Sequence, residues 1–207
     1  MHSKKIQSLL AQHLPTGAID YCLGLWLAQP FDFKLRQSRL TKVGDFTCYP
    51  GRPPRITINR DLHPYMFLVT YVHEVAHLEV HRQFGNRAEG HGQEWKRTFR
   101  QMLEPVLNEL IFPADLLVVL REHMADPRAS TFSDPELVRA LRQHDPNTDT
   151  QTFLADIPKG SIFGIRGRFF RKGDTKRTRV LCQEIKSKRK YFVPLDAPVD
   201  NVQLSLL

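Results

Sequence analysis

Residues 73–95 read HEVAHLEVHRQFGNRAEGHGQEW, and the pattern of histidines in this stretch sets the reading of the whole chain. His73-Glu74-Val75-Ala76-His77 is an HExxH pentapeptide. On a helix, residues four apart share a face, so two imidazoles can grip one metal ion. Glu74 neighbours the first histidine, and its carboxylate can reach a water on that ion. Zinc lowers the pKa of such a water to about 7, and Glu74 can take its proton as general base. The flanks, Phe67 to Val69, Tyr71, Val72, Val75, Ala76 and Leu78, are apolar almost all round a helix. A pair of core histidines satisfied by hydrogen bonds is the bland alternative. Ionisable groups in so apolar a helix need partners, and a metal is a good one.

A catalytic zinc has three protein ligands and an open position. His81 is four residues beyond His77, but a straight helix rises about 1.5 Å per residue, so His73 and His81 stand about 12 Å apart along its axis. They cannot share one ion with His77, and His81 reads as a capping or supporting histidine. Glu94 stands seventeen residues after His77, as in glutamate-liganded zinc peptidases, and His91 stands fourteen after it. His91 is favoured. It follows a loop long enough to reverse the chain, and Gly90 and Gly92 beside it let the backbone approach a crowded site. Val80 and Gln83 break the metzincin pattern HExxHxxGxxH.

Outward from this stretch the chain reads as α+β. Helical spacing covers residues 3–14 and, with Thr16 as a cap, about 16–29. Phe31, Phe33 and Leu35 alternate with charged residues as in a strand, Gly44 and Pro50-Gly51 mark turns, and Phe46–Tyr49 and Arg55–Asn59 complete a small antiparallel sheet. Asp61 caps a helix over 63–84, closed by Gly85, and further helices are expected near 94–103, 116–123 and 135–144. Trp26, Trp95 and Phe99 read as core, and His123 and His144 as surface residues near helix ends. Arg39 and Lys42 are candidate substrate contacts, and an edge strand at Phe46–Tyr49 could hold a peptide by strand addition. The polar stretch QHDPNTD (143–149) marks a boundary near 150. Beyond it, strands are expected at 161–165, 168–171, 177–184 and 191–194.

The 207 residues are 41% hydrophobic and 25% charged, which suits a packed core. The longest apolar run, Cys22–Ala28, is far short of the roughly 20 residues needed to cross a bilayer. No apolar segment follows the basic start, so no secretory signal is expected. Three separated cysteines without CxxC suit a reducing cytoplasm. The net charge is +8, and residues 158–207 carry twelve basic against four acidic groups, so the excess sits wholly there. Arg166, Arg168, Arg171, Lys172, Lys176, Arg177, Arg179, Lys186, Lys188, Arg189 and Lys190 interleave with Phe163, Phe169, Phe170, Tyr191 and Phe192. That mixture suits a single-stranded nucleic acid, or duplex backbone contacted without base reading. A β-subdomain with core aromatics and a solvated charged face gives the same pattern, and an acidic protein or membrane surface is another possible dock.

HEVAHLEVHRQFG followed by EGHGQEW resembles the SprT-like family, which includes the Spartan proteases, and ITINRDL (56–62) is similar to the family's strand leading into its zinc helix. The resemblance, carried by residues 56–103 and extending back to the N-terminus, implies a helical zincin-like metallopeptidase domain over residues 1–150; the basic β-rich element over 151–207 is read from the tail's own residues and departs from the family pattern. The resemblance implies zinc on His73, His77 and His91, with Glu74 catalytic. It implies a peptidase whose protein substrates are bound or crosslinked to DNA. The chain lacks the paired cysteines of the C-terminal zinc ribbon that many members carry. The rival reading is a non-catalytic adaptor with a structural zinc that binds nucleic acid or protein, and the substrate of the HExxH chemistry is open at this point. Nothing in the sequence sets an oligomeric state.

Overall fold

The computed structural model describes residues 2–37, 39, 42–127, 134–145, 152–165, 167–177, 179–195 and 197–203. They form two compact units, residues 1–141 and 142–207, of mixed α and β structure.

The first unit is built around one helix. In chain order it holds α1 (His2–Ala11), α2 (Ile19–Ala28), β1 (Asp32–Arg36), β2 (Gly44–Thr47), β3 (Arg55–Asn59), α3 (Pro64–Phe84), α4 (Gln93–Leu103), α5 (Ala114–Ala125) and the start of α6 (Pro135–Gln143). Pro64 stands in the first turn of α3, where its missing N–H leaves no orphan donor, and Gly85 closes the helix at φ +60°. Neither Asp61 nor Thr16 caps a helix, in contrast to the sequence expectation. The N-cap of α3 is His63, and Thr16 begins a 3₁₀ turn (Thr16–Ala18) that leads into α2. From Met66 to Ala76 every side chain of α3 is buried. Tyr71 donates its hydroxyl to the Cys22 carbonyl at 3.0 Å and meets Phe33 edge-on. Each large side chain fully buried in this way contributes roughly 1.5–3 kcal/mol.

The sheet of this unit is mixed, not antiparallel. Its order is β1-β3-β2, with β1 parallel to β3 and β2 antiparallel to it. Alternation along a strand reveals which face is buried but carries no information on partner or direction. Here Asp32 lies opposite Arg55 and the two form an ion pair at 2.7 Å, which helps hold the parallel register.

The second unit is a six-stranded sheet in the order β4-β9-β5-β6-β7-β8, antiparallel throughout. Its strands are β4 (Thr152–Phe153), β5 (Ile162–Ile165), β6 (Arg168–Lys176), β7 (Arg179–Glu184), β8 (Lys190–Pro194) and β9 (Pro198–Gln203). β4 and β9 escape a sequence reading: one has two residues, and the other opens on proline and bends at Asn201, φ +46°. Phe163, Phe170, Val180, Cys182 and Val193 form the core face.

Lys172 belongs to that interior, which corrects its reading as a phosphate contact. It is 7% exposed, and its ammonium donates to the carbonyls of Leu154 (2.7 Å), Ile157 (2.6 Å) and Ala155 (3.4 Å). All three of its donors are thus used to pin the 154–157 segment, and burial pushes its pKa down. Lys172→Met should therefore lower unfolding free energy by roughly 2–3 kcal/mol, since charged hydrogen bonds are lost and carbonyls are left buried. Urea titration of the two proteins checks this, and a change below about 0.5 kcal/mol would contradict it.

Candidate metal centre

His73 and His77 lie one turn apart on α3, and the chain reverses after Gly85 to bring His91 back over them. The three Nε2 atoms converge: His73 to His77 is 3.2 Å, His77 to His91 is 3.0 Å and His91 to His73 is 3.3 Å. Zinc–nitrogen bonds of 2.0–2.1 Å set tetrahedral nitrogen–nitrogen edges of about 3.3–3.4 Å, so the donor triangle fits such an ion closely. Among the described residues this is the one group of three or more His, Cys, Asp or Glu side chains with ligand spacing. Glu94 is outside it, on the first turn of α4. The glycines beside His91 do not act as the sequence reading holds. A side chain on Gly90 would meet open space, and one on Gly92 would come within 3.0 Å of Glu89 rather than of the site.

Trp95, the first large apolar residue of α4, organises the triad. Its ring centroid lies 4.6 Å from His73, 4.7 Å from His91 and 5.3 Å from His77, and it stacks on Phe99 behind them. It is wholly buried, and its Nε1 has no hydrogen-bond partner among the described residues. From β2, Phe46 lies parallel to His77 and also meets His81, whose ring is 5.8 Å away. His81 thus stands beside the triad, one turn further along the helix.

Burial keeps the three imidazoles neutral. His73 is held well below its ordinary pKa by burial and by repulsion from His77, His91 and His123. His77 is pushed down to about 3 by burial and by His91, and His91 is lowered by burial. Around neutrality all three present lone pairs, as ligation requires.

Glu74 faces the opposite constraint. Burial, and then the charge of Asp45, raise its pKa to about 8, against the pull of Arg39, the Phe46 N–H and Lys42. The Phe46 N–H donates to its carboxylate, so β2, an edge strand, lies directly against the glutamate. Gly44 makes this approach possible. A Cβ at Gly44 would overlap the Glu74 carboxylate and come within 2.7 Å of the Thr70 methyl. Gly44 is therefore a strand residue at the site and not a turn marker.

Two further expectations change. Arg39 is not free for substrate: it donates to Asn59 (2.8 Å), Thr57 (2.9 Å) and the Val43 carbonyl (3.2 Å), while Lys42 pairs with Asp45 at 2.6 Å. His123 is not a surface residue. It is 5% exposed, and its Nδ1 lies 2.7 Å from Asp134. Asp134 also accepts the N–H groups of Glu136 and Leu137 in the first turn of α6, so burial of His123 comes with the docking of that turn.

The basic residues of the second unit divide. Arg166 lies outside the described residues. Arg168 is ion-paired with Glu184 at 2.8 Å, and Lys172 is interior. Arg171, Lys176, Arg179 and Lys190 are exposed strand residues; Arg177, Lys186, Lys188 and Arg189 are exposed residues of the two hairpin turns.

Gly44→Ala should cost roughly 1–3 kcal/mol of stability through overpacking. Glu74→Ala should recover part of that loss, and Thr70→Ser a further part, because the atoms in contact are removed. A double-mutant cycle that gives no coupling between positions 44 and 74 would contradict the placement. In the metal-free chain, Glu74 has a folded pKa above its unfolded value. Its contribution is therefore fully present below about pH 4.5 and is lost as pH rises through about 8. Glu74→Gln lacks this loss, so its advantage over wild type should grow by a few kcal/mol between pH 5 and 8.5, at about 1.36 kcal/mol per pKa unit. Chemical denaturation at the two pH values measures it, and an advantage independent of pH would contradict it.

Compared with protein-family models, curated proteins and solved structures, the chain finds no match.

Proposed function

We propose that this chain is a zinc-dependent endopeptidase of the SprT-like kind that acts on proteins held on nucleic acid. The observation that carries the reading is the convergence of three neutral imidazole Nε2 atoms, 3.0–3.3 Å apart, on the helix that carries a buried glutamate pressed against an edge strand. The resemblance of HEVAHLEVHRQFG and EGHGQEW to SprT-like sequences supports it.

His73, His77 and His91 would hold the ion through Nε2, and three imidazoles are a donor set that suits zinc. A zinc ion bound there supplies Lewis acidity and a positive charge that favours the carboxylate form of Glu74. Glu74, steadied by the Phe46 N–H, takes a proton from the attacking water and delivers it to the leaving amine nitrogen. Peptide groups of β2 that face away from β3, apart from the Phe46 N–H already given to Glu74, can pair with an extended chain, which favours a polypeptide over a compact small substrate. Trp95 and Phe46 hold the imidazoles in place and keep bulk water from two sides of them.

The one-sided charge supports the second half of the reading. Twelve of the thirty basic residues lie in the last fifty positions, which leaves the rest of the chain neutral. Such a region concentrates the enzyme where polyanions are. No helix of the described residues is long and apolar enough to cross a membrane.

Cleavage of a basic DNA-binding protein by the zinc-loaded chain, with and without single-stranded DNA, tests the proposal. Glu74→Gln should bind one equivalent of zinc and cleave at least about 10³-fold more slowly. His91→Ala should lose zinc affinity by roughly 100-fold or more, read by competition with a chromogenic chelator. Cleavage by Glu74→Gln at the wild-type rate would refute the mechanism. Tight zinc binding with no cleavage in any arm would favour the non-catalytic adaptor.

A further inference from the structure

The two faces of the six-stranded sheet carry different chemistry. One face is the apolar interior. On the other, strand register sets out rows, because directly opposed residues of antiparallel strands share a face. Arg171, Gln183 and Lys190 form one row across β6, β7 and β8. Leu181 and Phe192 form the next, and Lys176, Arg179 and Pro194 the one after it. One step the other way along β6 stands Phe169, opposite Gly164 of β5.

Phe169 and Phe192 are 45% and 47% exposed, and they are the exposed large apolar side chains of this unit among the described residues. A strand spacing of about 4.8 Å and a rise of about 3.4 Å per residue put them roughly 17 Å apart, on a diagonal that crosses the Arg171–Lys190 row. The Lys176 ammonium lies 6.0 Å from the Phe192 ring centre. The acidic groups nearby are few: Asp200 lies opposite Gly164, and Asp174, at the end of β6, is paired with Lys159.

The arrangement selects one occupant. Two separate rings with cations between them do not make the continuous apolar patch that a membrane or a protein core contact would use. An acidic peptide would satisfy the cations but leave both rings uncovered. Duplex DNA hides the faces of its bases. A single strand offers both a line of phosphates for the cations and unstacked bases for the rings. We infer that this face binds single-stranded nucleic acid, with Phe169 and Phe192 stacking on bases and Arg171, Lys190, Lys176 and Arg179 on phosphates. The inference deepens the nucleic-acid half of the reading above and does not depend on the metal centre.

Fluorescence anisotropy with labelled (dT)20, (rU)20 and a 20-base-pair duplex tests it on the full chain, zinc-loaded and chelator-treated, at 50–200 mM salt. Single strands should bind more tightly than duplex, and the two oligomers tell whether DNA or RNA supplies the better strand. Phe169→Ala with Phe192→Ala should weaken binding by roughly tenfold or more, since stacking on each ring is worth several-fold or more. Arg171→Glu with Lys190→Glu should weaken it and reduce its salt dependence. Arg97→Glu with Arg100→Glu on α4, the same change of net charge, should stay within about twofold. Circular dichroism confirms that each variant is folded. Wild-type affinity in the phenylalanine pair, equal binding of duplex, an equal loss with the α4 pair, or no binding by wild type would each overturn the inference. A chain that binds these oligomers and cleaves nothing overturns only the peptidase reading.

Discussion

Three imidazole nitrogens held within 3.3 Å of one another are the constraint on which the first unit depends. Neutral imidazoles gain little from such an approach, because each carries one N–H and the three lone pairs crowd together. The fold enforces it from outside. The α-helical period sets His73 over His77, the left-handed Gly85 turns the chain back, and α4 places Trp95 against all three rings. A cation at the centre would turn this crowding into bonding. The apolar wall then has a second effect: it removes the protons that would compete with the metal.

Glu74 shows the same burial acting in the other direction. The dry surroundings that keep the histidines neutral also hold a proton on the carboxyl, up to about pH 8. Around neutrality burial thus keeps the metal-free site uncharged, with neutral imidazoles and a protonated glutamate. A cation held by the imidazoles would favour the carboxylate form of Glu74. The Phe46 N–H and the missing side chain at Gly44 fix where the carboxylate sits against the edge strand.

The features legible in the sequence are those set by local periodicity. HExxH on an apolar helix, a helix stop at Gly85 and a third histidine after a reversing loop all follow from spacing. Residues whose role depends on distant contacts were not legible. Gly44 meets Glu74 thirty positions away, and only the packing of β2 on α3 shows why it has no side chain. His123 resembles a surface residue near a helix end until α6 brings Asp134 to it. Lys172 sits among basic residues in the sequence, but strand alternation turns it inward, where three carbonyls take its protons. The direction of β1 along β3 is a matter of topology, which alternation does not encode.

The second unit combines a core held by a buried lysine with an outer face that keeps its charges and two phenyl rings in solvent. Its basicity is therefore not uniform, since Arg168 and Lys172 serve the fold while Arg171 and Lys190 remain free of it. X-ray absorption at the zinc edge on the zinc-loaded chain reads the ligands of the triad themselves. The spectrum should carry the signature of three histidines, with the remaining coordination from an exchangeable light atom, and His91→Ala should lose one histidine. A sulfur ligand, a fourth ligand from the protein, or an unchanged spectrum in that variant would contradict the three-histidine centre.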